Sequence, residues 1–163
     1  MNPERIEPGP GQESVWDYPR PPRLETTSAH VRVALAGETI ADTRRAVRVL
    51  ETSQPPAFYI PPKDVRTELL EPTTTRTFCE WKGNASYYTV RVGAHEAVDA
   101  AWAYLDPTPE FSQIAGWFAF YAQKLDCFVS GERVTANEGT YYGGWITSAV
   151  VGPFKGGTGT SHW

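Results

Sequence analysis

The chain predicts a mainly β fold of antiparallel sheets with one or two short helices, and two observations carry that expectation. Short runs rich in β-branched and aromatic residues recur at close spacing, with turn residues between them. In the first of them, Val31, Val33 and Leu35 alternate with Arg32 and Ala34, the period of two of a strand. At 163 residues the chain is long enough to bury one real core without disulfides or metals.

The elements follow in order. Residues 1–28 are dominated by Pro, Gly and charge and read as an extended tail, in which Trp16 and Tyr18 are able to dock on the domain. Residues 30–36 form the first strand, Gly37-Glu38 turns the chain, and residues 39–41 begin the second strand of a hairpin. Residues 42–51 fit either a helical turn capped by Asp42 or, better, a strand from about residue 46. Gln54-Pro55-Pro56 is a break, and residues 58–60 are a short strand stopped by Pro61-Pro62. Residues 62–70 read as a short helix, with Pro62 and Asp64 in its first turn and Val65, Leu69 and Leu70 on one face.

Residues 73–78 return to β character, residues 79–85 turn, and residues 86–92 (SYYTVRV) are a strand ended by Gly93. Residues 97–104 fit a strand or a helical turn, and residues 111–114 one helical turn. Residues 116–121 and 127–129 are expected as core strands, with a tight turn at Gly131-Glu132. Residues 139–163 form a Gly-rich tail carrying Tyr141, Tyr142, Trp145, Phe154 and Trp163. The division is therefore tail 1–28, β domain 29–138 and tail 139–163.

Composition narrows the function classes. A net charge of −4 gives no electrostatic reason to gather phosphates, so nucleic acid is not an expected partner. The one basic cluster, Arg44, Arg45 and Arg48, reads as a solvated face or as an anchor for a ligand's anionic group. No apolar run approaches the roughly 18 residues needed to cross a bilayer. The first residues lack a basic-then-apolar leader, so a cytoplasmic location is expected. Cys79 and Cys127 are too few for a disulfide framework and read as reduced thiols in or near the core. Phosphate-loop, dinucleotide, HExxH and GxSxG patterns are absent, and His30, His95 and His162 are scattered. No cofactor and no metal are expected. Six Trp, eight Tyr and seven Phe call for an aromatic core or a pocket with stacking walls.

Five short motifs stand in a fixed order: Leu50-Glu51-Thr52; Phe58-Tyr59-Ile60-Pro61; Cys79-Glu80-Trp81-Lys82-Gly83-Asn84-Ala85-Ser86-Tyr87; Ala101-Trp102-Ala103-Tyr104; and an IAGWFAFY run at residues 114–121. Together they resemble the bacterial and fungal family called domain of unknown function 427, over roughly residues 30–135. The resemblance implies an Mss4-like, β-tent arrangement of sheets. Relatives of that fold often hold zinc on paired CxxC motifs, which this chain lacks. The family also carries a nucleotidyltransferase-like label.

Polar and aromatic residues inside these motifs are the candidate site. Glu51 and Lys82 are the candidate catalytic pair, and Tyr59, Trp81, Tyr87, Tyr88, Trp102, Tyr104 and Arg44 the candidate ligand-binding residues. A carboxylate and an amine meeting in an aromatic pocket suit proton transfer without a cofactor. The same two side chains also suit an ion pair that only fixes sheet register, with Trp102 and Tyr104 in the core. Three functions follow: a small-molecule-binding domain, with or without catalysis; an interaction or homodimerisation module acting through Trp16, Tyr18, Trp145 and Trp163; and nucleotidyl transfer, on the family label alone. The binding reading requires a concave pocket that contains Lys82.

Overall fold

In the computed structural model, which describes residues 3–139 and 141–163, strands make up most of the regular structure, and the helical segments are short 3₁₀ turns. Met1, Asn2 and Thr140 lie outside the described residues. In chain order the strands are β1 (Glu13–Ser14), β2 (Arg23–Thr26), β3 (Val31–Leu35), β4 (Glu38–Thr43), β5 (Val47–Leu50), β6 (Ala57–Tyr59), β7 (Leu70–Cys79) and β8 (Gly83–Val92). They continue as β9 (His95–Ala103), β10 (Phe118–Phe120), β11 (Asp126–Val129), β12 (Glu132–Arg133), β13 (Thr135–Ala136), β14 (Trp145–Ile146) and β15 (Val150–Val151). The fold is mainly β and mostly antiparallel; the pairing of β1 with β15 is parallel.

One four-stranded sheet has the order β12-β11-β3-β4, and a second has β10-β9-β8-β7. A three-stranded sheet, β2-β5-β6, is joined to the second by an isolated bridge between Ile60 and Phe118. Ile60 N–H donates to the Phe118 carbonyl at 2.8 Å and Phe118 N–H to the Ile60 carbonyl at 3.0 Å. Seven strands therefore run side by side as β2-β5-β6-β10-β9-β8-β7. Because strand side chains alternate between faces, this run has two distinct surfaces. Ile60, Val90, Ala101, Phe118 and Phe120 belong to the apolar core shared with Val31, Val33 and Ile40 of the first sheet. Val49, Tyr59, Tyr87, Trp102 and Tyr121 lie in a second, aromatic cluster.

The alanines of β9 decide its form. Of residues 97–104, open to strand or helix in the sequence, 97–103 belong to β9, which is flanked by β8 and β10 and broken by one irregularity at Asp99. Ala100, Ala101 and Ala103 are fully buried, and their small side chains bring the sheets close. Residues 62–70 differ from the expected helix. They form two separate 3₁₀ turns, Pro62–Asp64 and Thr67–Leu69. Val65 between them is extended and bridges to Ala41, which takes its backbone out of any continuous helix.

Both flanking segments pack on the rest of the chain. In residues 1–28, β2 pairs with β5, and Val15 and Tyr18 are buried with Leu50 and Val150. Arg48 ties this segment down, pairing with Glu13 at 3.0 Å and with Glu25. In residues 139–163, Trp145 is 1% exposed. Its ring stacks on Phe58 with centroids 5.1 Å apart, and its Nε1–H donates to the Phe120 carbonyl at 2.8 Å. Pro- and Gly-rich composition hid these strands, which are only two to four residues long.

Candidate functional site

The aromatic surface of the seven-strand run opens into a cleft of about 410 Å3. Val49 of β5 and Cys79 of β7, near opposite ends of the strand order, line the same cleft, so the run curls around it. Trp102 and Tyr104 supply its floor from β9 and the residue after it. Tyr59 enters from β6 and Tyr87 from β8. Residues 141–144 cross as a strap. At Gly143 a Cβ would lie 2.3 Å from Trp102 Cη2, so only glycine lets the strap lie on the indole.

Lys82 is placed by a hairpin. Cys79 and Gly83 are register partners at the end of the β7–β8 ladder, leaving Glu80-Trp81-Lys82 as the loop. Gly83 takes φ +99°, which favours glycine at this turn. Thr108 clamps the loop: its N–H donates to the Lys82 carbonyl at 3.2 Å and its hydroxyl to the Trp81 carbonyl at 2.6 Å. The Lys82 side chain is thereby carried into the cleft, and the residue is 7% exposed. Its Nζ donates to Cys79 Sγ at 3.3 Å and lies 5.5 Å from the Tyr104 ring centroid and 5.8 Å from that of Phe111.

Glu51 lines the same cleft, but its carboxylate faces Arg20 at 3.8 Å. No ion pair joins Glu51 to Lys82 among the described residues. Lys82 has no carboxylate partner of any kind there. The aromatic hydroxyls form a partial network. Trp102 Nε1–H donates to Tyr59 Oη at 3.0 Å, and the Tyr87 and Tyr121 hydroxyls are 3.3 Å apart. Burial pushes the phenols of Tyr59, Tyr104 and Tyr121 above the usual tyrosine range, so all three stay neutral hydroxyls at ordinary pH.

The structure brings Glu51, Tyr59, Trp81, Lys82, Tyr87, Trp102 and Tyr104 together around this cleft. It does not bring Tyr88 or Arg44. Tyr88 follows Tyr87 in the same strand and points to the other face, where its ring packs edge-on against Phe118. Arg44 is exposed in the connection before β5, and the basic cluster disperses: Arg45 chelates Asp64 at 2.9 and 3.0 Å while Arg48 turns to Glu13 and Glu25. Sequence reasoning missed Cys79, Tyr121 and Lys155 as lining residues. Tyr121 was within reach, since it follows Ala119 at the two-residue spacing of one strand face. The strap at 141–144 carries no periodic signal.

A curled, mainly β sheet holding an aromatic cleft defines the class of protein. A family model described as Domain of unknown function (DUF427), under the label NTP_transf_9, matches residues 23–131. The chain belongs to that family, in agreement with the ordered motifs. No curated protein matches it. Among the described residues no group of three or more His, Cys, Asp or Glu is arranged to hold a metal ion, and no helix is long and apolar enough to cross a membrane.

Proposed function

We propose that this domain binds a small, planar molecule in the aromatic cleft. One observation carries the reading. A cleft of about 410 Å3, within the size range of small-molecule sites, is walled by Tyr59, Trp102 and Tyr104 and contains a buried lysine without a carboxylate partner. Stacking on the indole and phenol rings supplies affinity, and the hydroxyls supply orientation.

Proton transfer by Glu51 and Lys82 as a pair has less support, because the carboxylate faces Arg20 and the amine faces Cys79. Association through aromatic tails also has less support. Trp145 and Tyr18 are buried within the chain, and the Trp16 and Trp163 rings meet each other at 5.7 Å. Nucleotidyl transfer rests on the family label alone. A cytoplasmic location fits the binding of a metabolite and is part of the proposal.

A thermal-shift screen against a metabolite library, run on the wild type and on Lys82→Ala, tests the reading. Compounds that stabilise the wild type and not the variant support it. Compounds that stabilise both equally place the binding surface elsewhere and overturn it.

A further inference from the structure

Several donors that line the cleft have few or no acceptors among the described residues. A buried ammonium is normally matched by a carboxylate or by several oxygen acceptors. Lys82 has three N–H donors and, among the described residues, one hydrogen-bonded partner, the Cys79 sulfur, which is a weak acceptor. Tyr104 lines the cleft and is 7% exposed, and its hydroxyl meets no hydrogen-bond partner among the described residues. The Tyr59 hydroxyl accepts from Trp102 Nε1 at 3.0 Å, which leaves its own O–H without an acceptor there. The acidic side chains at the cleft do not fill this need: Glu51 is turned to Arg20, and Glu80 is exposed.

We propose that the cleft's ligand is an aromatic carboxylate, its anionic group received by Lys82 with the Tyr59 and Tyr104 hydroxyls as accompanying donors. The proposal rests on the small-molecule reading above and adds the ligand's charge. A carboxylate suits the site better than a phosphate. Of the two lysines that line the cleft only Lys82 is buried; Lys155 is half-buried and donates to the Trp163 carbonyl at 3.4 Å. One buried cation therefore matches one negative charge, and among the described residues no arginine fork lines the cleft to take a more highly charged group. The ligand's ring lies against Trp102 and Tyr121, whose centroids are 4.6 Å apart. The neutral state of the Tyr59 and Tyr104 phenols keeps them available as donors.

Isothermal titration of the full chain with benzoate, phenylacetate and naphthoate, each beside its carboxamide and its methylamine analogue, tests this. At least one carboxylate binds saturably, and its amide binds about tenfold more weakly, the size of one charge-assisted hydrogen bond. Lys82→Met erases that preference. Tyr104→Phe, which removes only a hydroxyl, lowers carboxylate affinity more than amide affinity, and this keeps the test in hand should Lys82→Met fail to fold. An amide or amine that binds as tightly as its acid overturns the charge assignment and leaves the small-molecule reading standing. A series in which no compound binds saturably at millimolar concentration overturns both.

Discussion

The two surfaces of the seven-strand run are built from alternate residues of the same strands, yet they bury different chemistry. One surface meets the first sheet through Ile60, Val90, Ala101 and Phe120, all fully buried and apolar. The other carries Tyr59, Tyr87, Trp102, Tyr104 and Tyr121, with hydroxyls left over and a lysine among the rings. The two cysteines repeat the contrast. Cys127 sits in the dry core, where burial pushes its thiol above the usual range, while Cys79 lines the cleft beside Lys82. The lesson is one of division of labour: the strand period lets one sheet be a sealed scaffold on one side and the wall of an open aromatic cleft on the other.

Truncation on the sealed side breaks the comparison most severely. Phe120→Ala removes a fully buried ring and is expected to cost about 3–5 kcal/mol, read by urea denaturation. Tyr104→Phe on the open side is expected to cost no more than about 1 kcal/mol, since its hydroxyl has no hydrogen-bond partner among the described residues to lose. Equal losses would mean that the cleft is ordinary core. Next in size is Gly143→Ala. The new methyl would meet the Trp102 ring, which is pinned by its bond to Tyr59, so the strap must lift. The expected cost is about 1–3 kcal/mol, with a shifted tryptophan emission and weakened binding.

The thiols sharpen the contrast further. Iodoacetamide added to the native protein should give one adduct by intact mass, at Cys79, and a second, at Cys127, only after unfolding. A smaller effect concerns the surface. Hydrogen bonds from Arg45 and Thr43 hold the Asp64 carboxyl below its usual value of 3.8. A depressed folded value means stability present above the usual one and lost as pH falls through the folded one. Arg45→Ala should flatten that acid limb slightly in denaturation curves below about pH 4, and it should leave the cleft's behaviour at neutral pH unchanged.

The sequence made much of this legible for physical reasons that differ by region. The β3–β4 hairpin and β8 were readable because local alternation and a turn define them. Lys82 was readable because a glycine-ended loop projects it between two strands. β2 and β14 were not, because four- and two-residue strands have no period to detect and both lie in segments read as tails, outside the expected domain. Residues 62–70 carried helix-start chemistry at Pro62, but the pairing of Val65 with Ala41 overrode it. Tyr88 and Tyr87 illustrate a signal that was present and unused: neighbours in a strand cannot share a face.

The central claim, that one side of the sheet is a site and the other is scaffold, has two reporters already in place. Trp102 donates its indole N–H to Tyr59 in the cleft, and Trp145 donates its own to the Phe120 carbonyl in the sealed core. Two-dimensional ¹H–¹⁵N spectra recorded during titration with a ligand from the screen should move the Trp102 indole resonance progressively and leave that of Trp145 in place. A ligand that binds while the Trp102 resonance stays fixed would contradict the account.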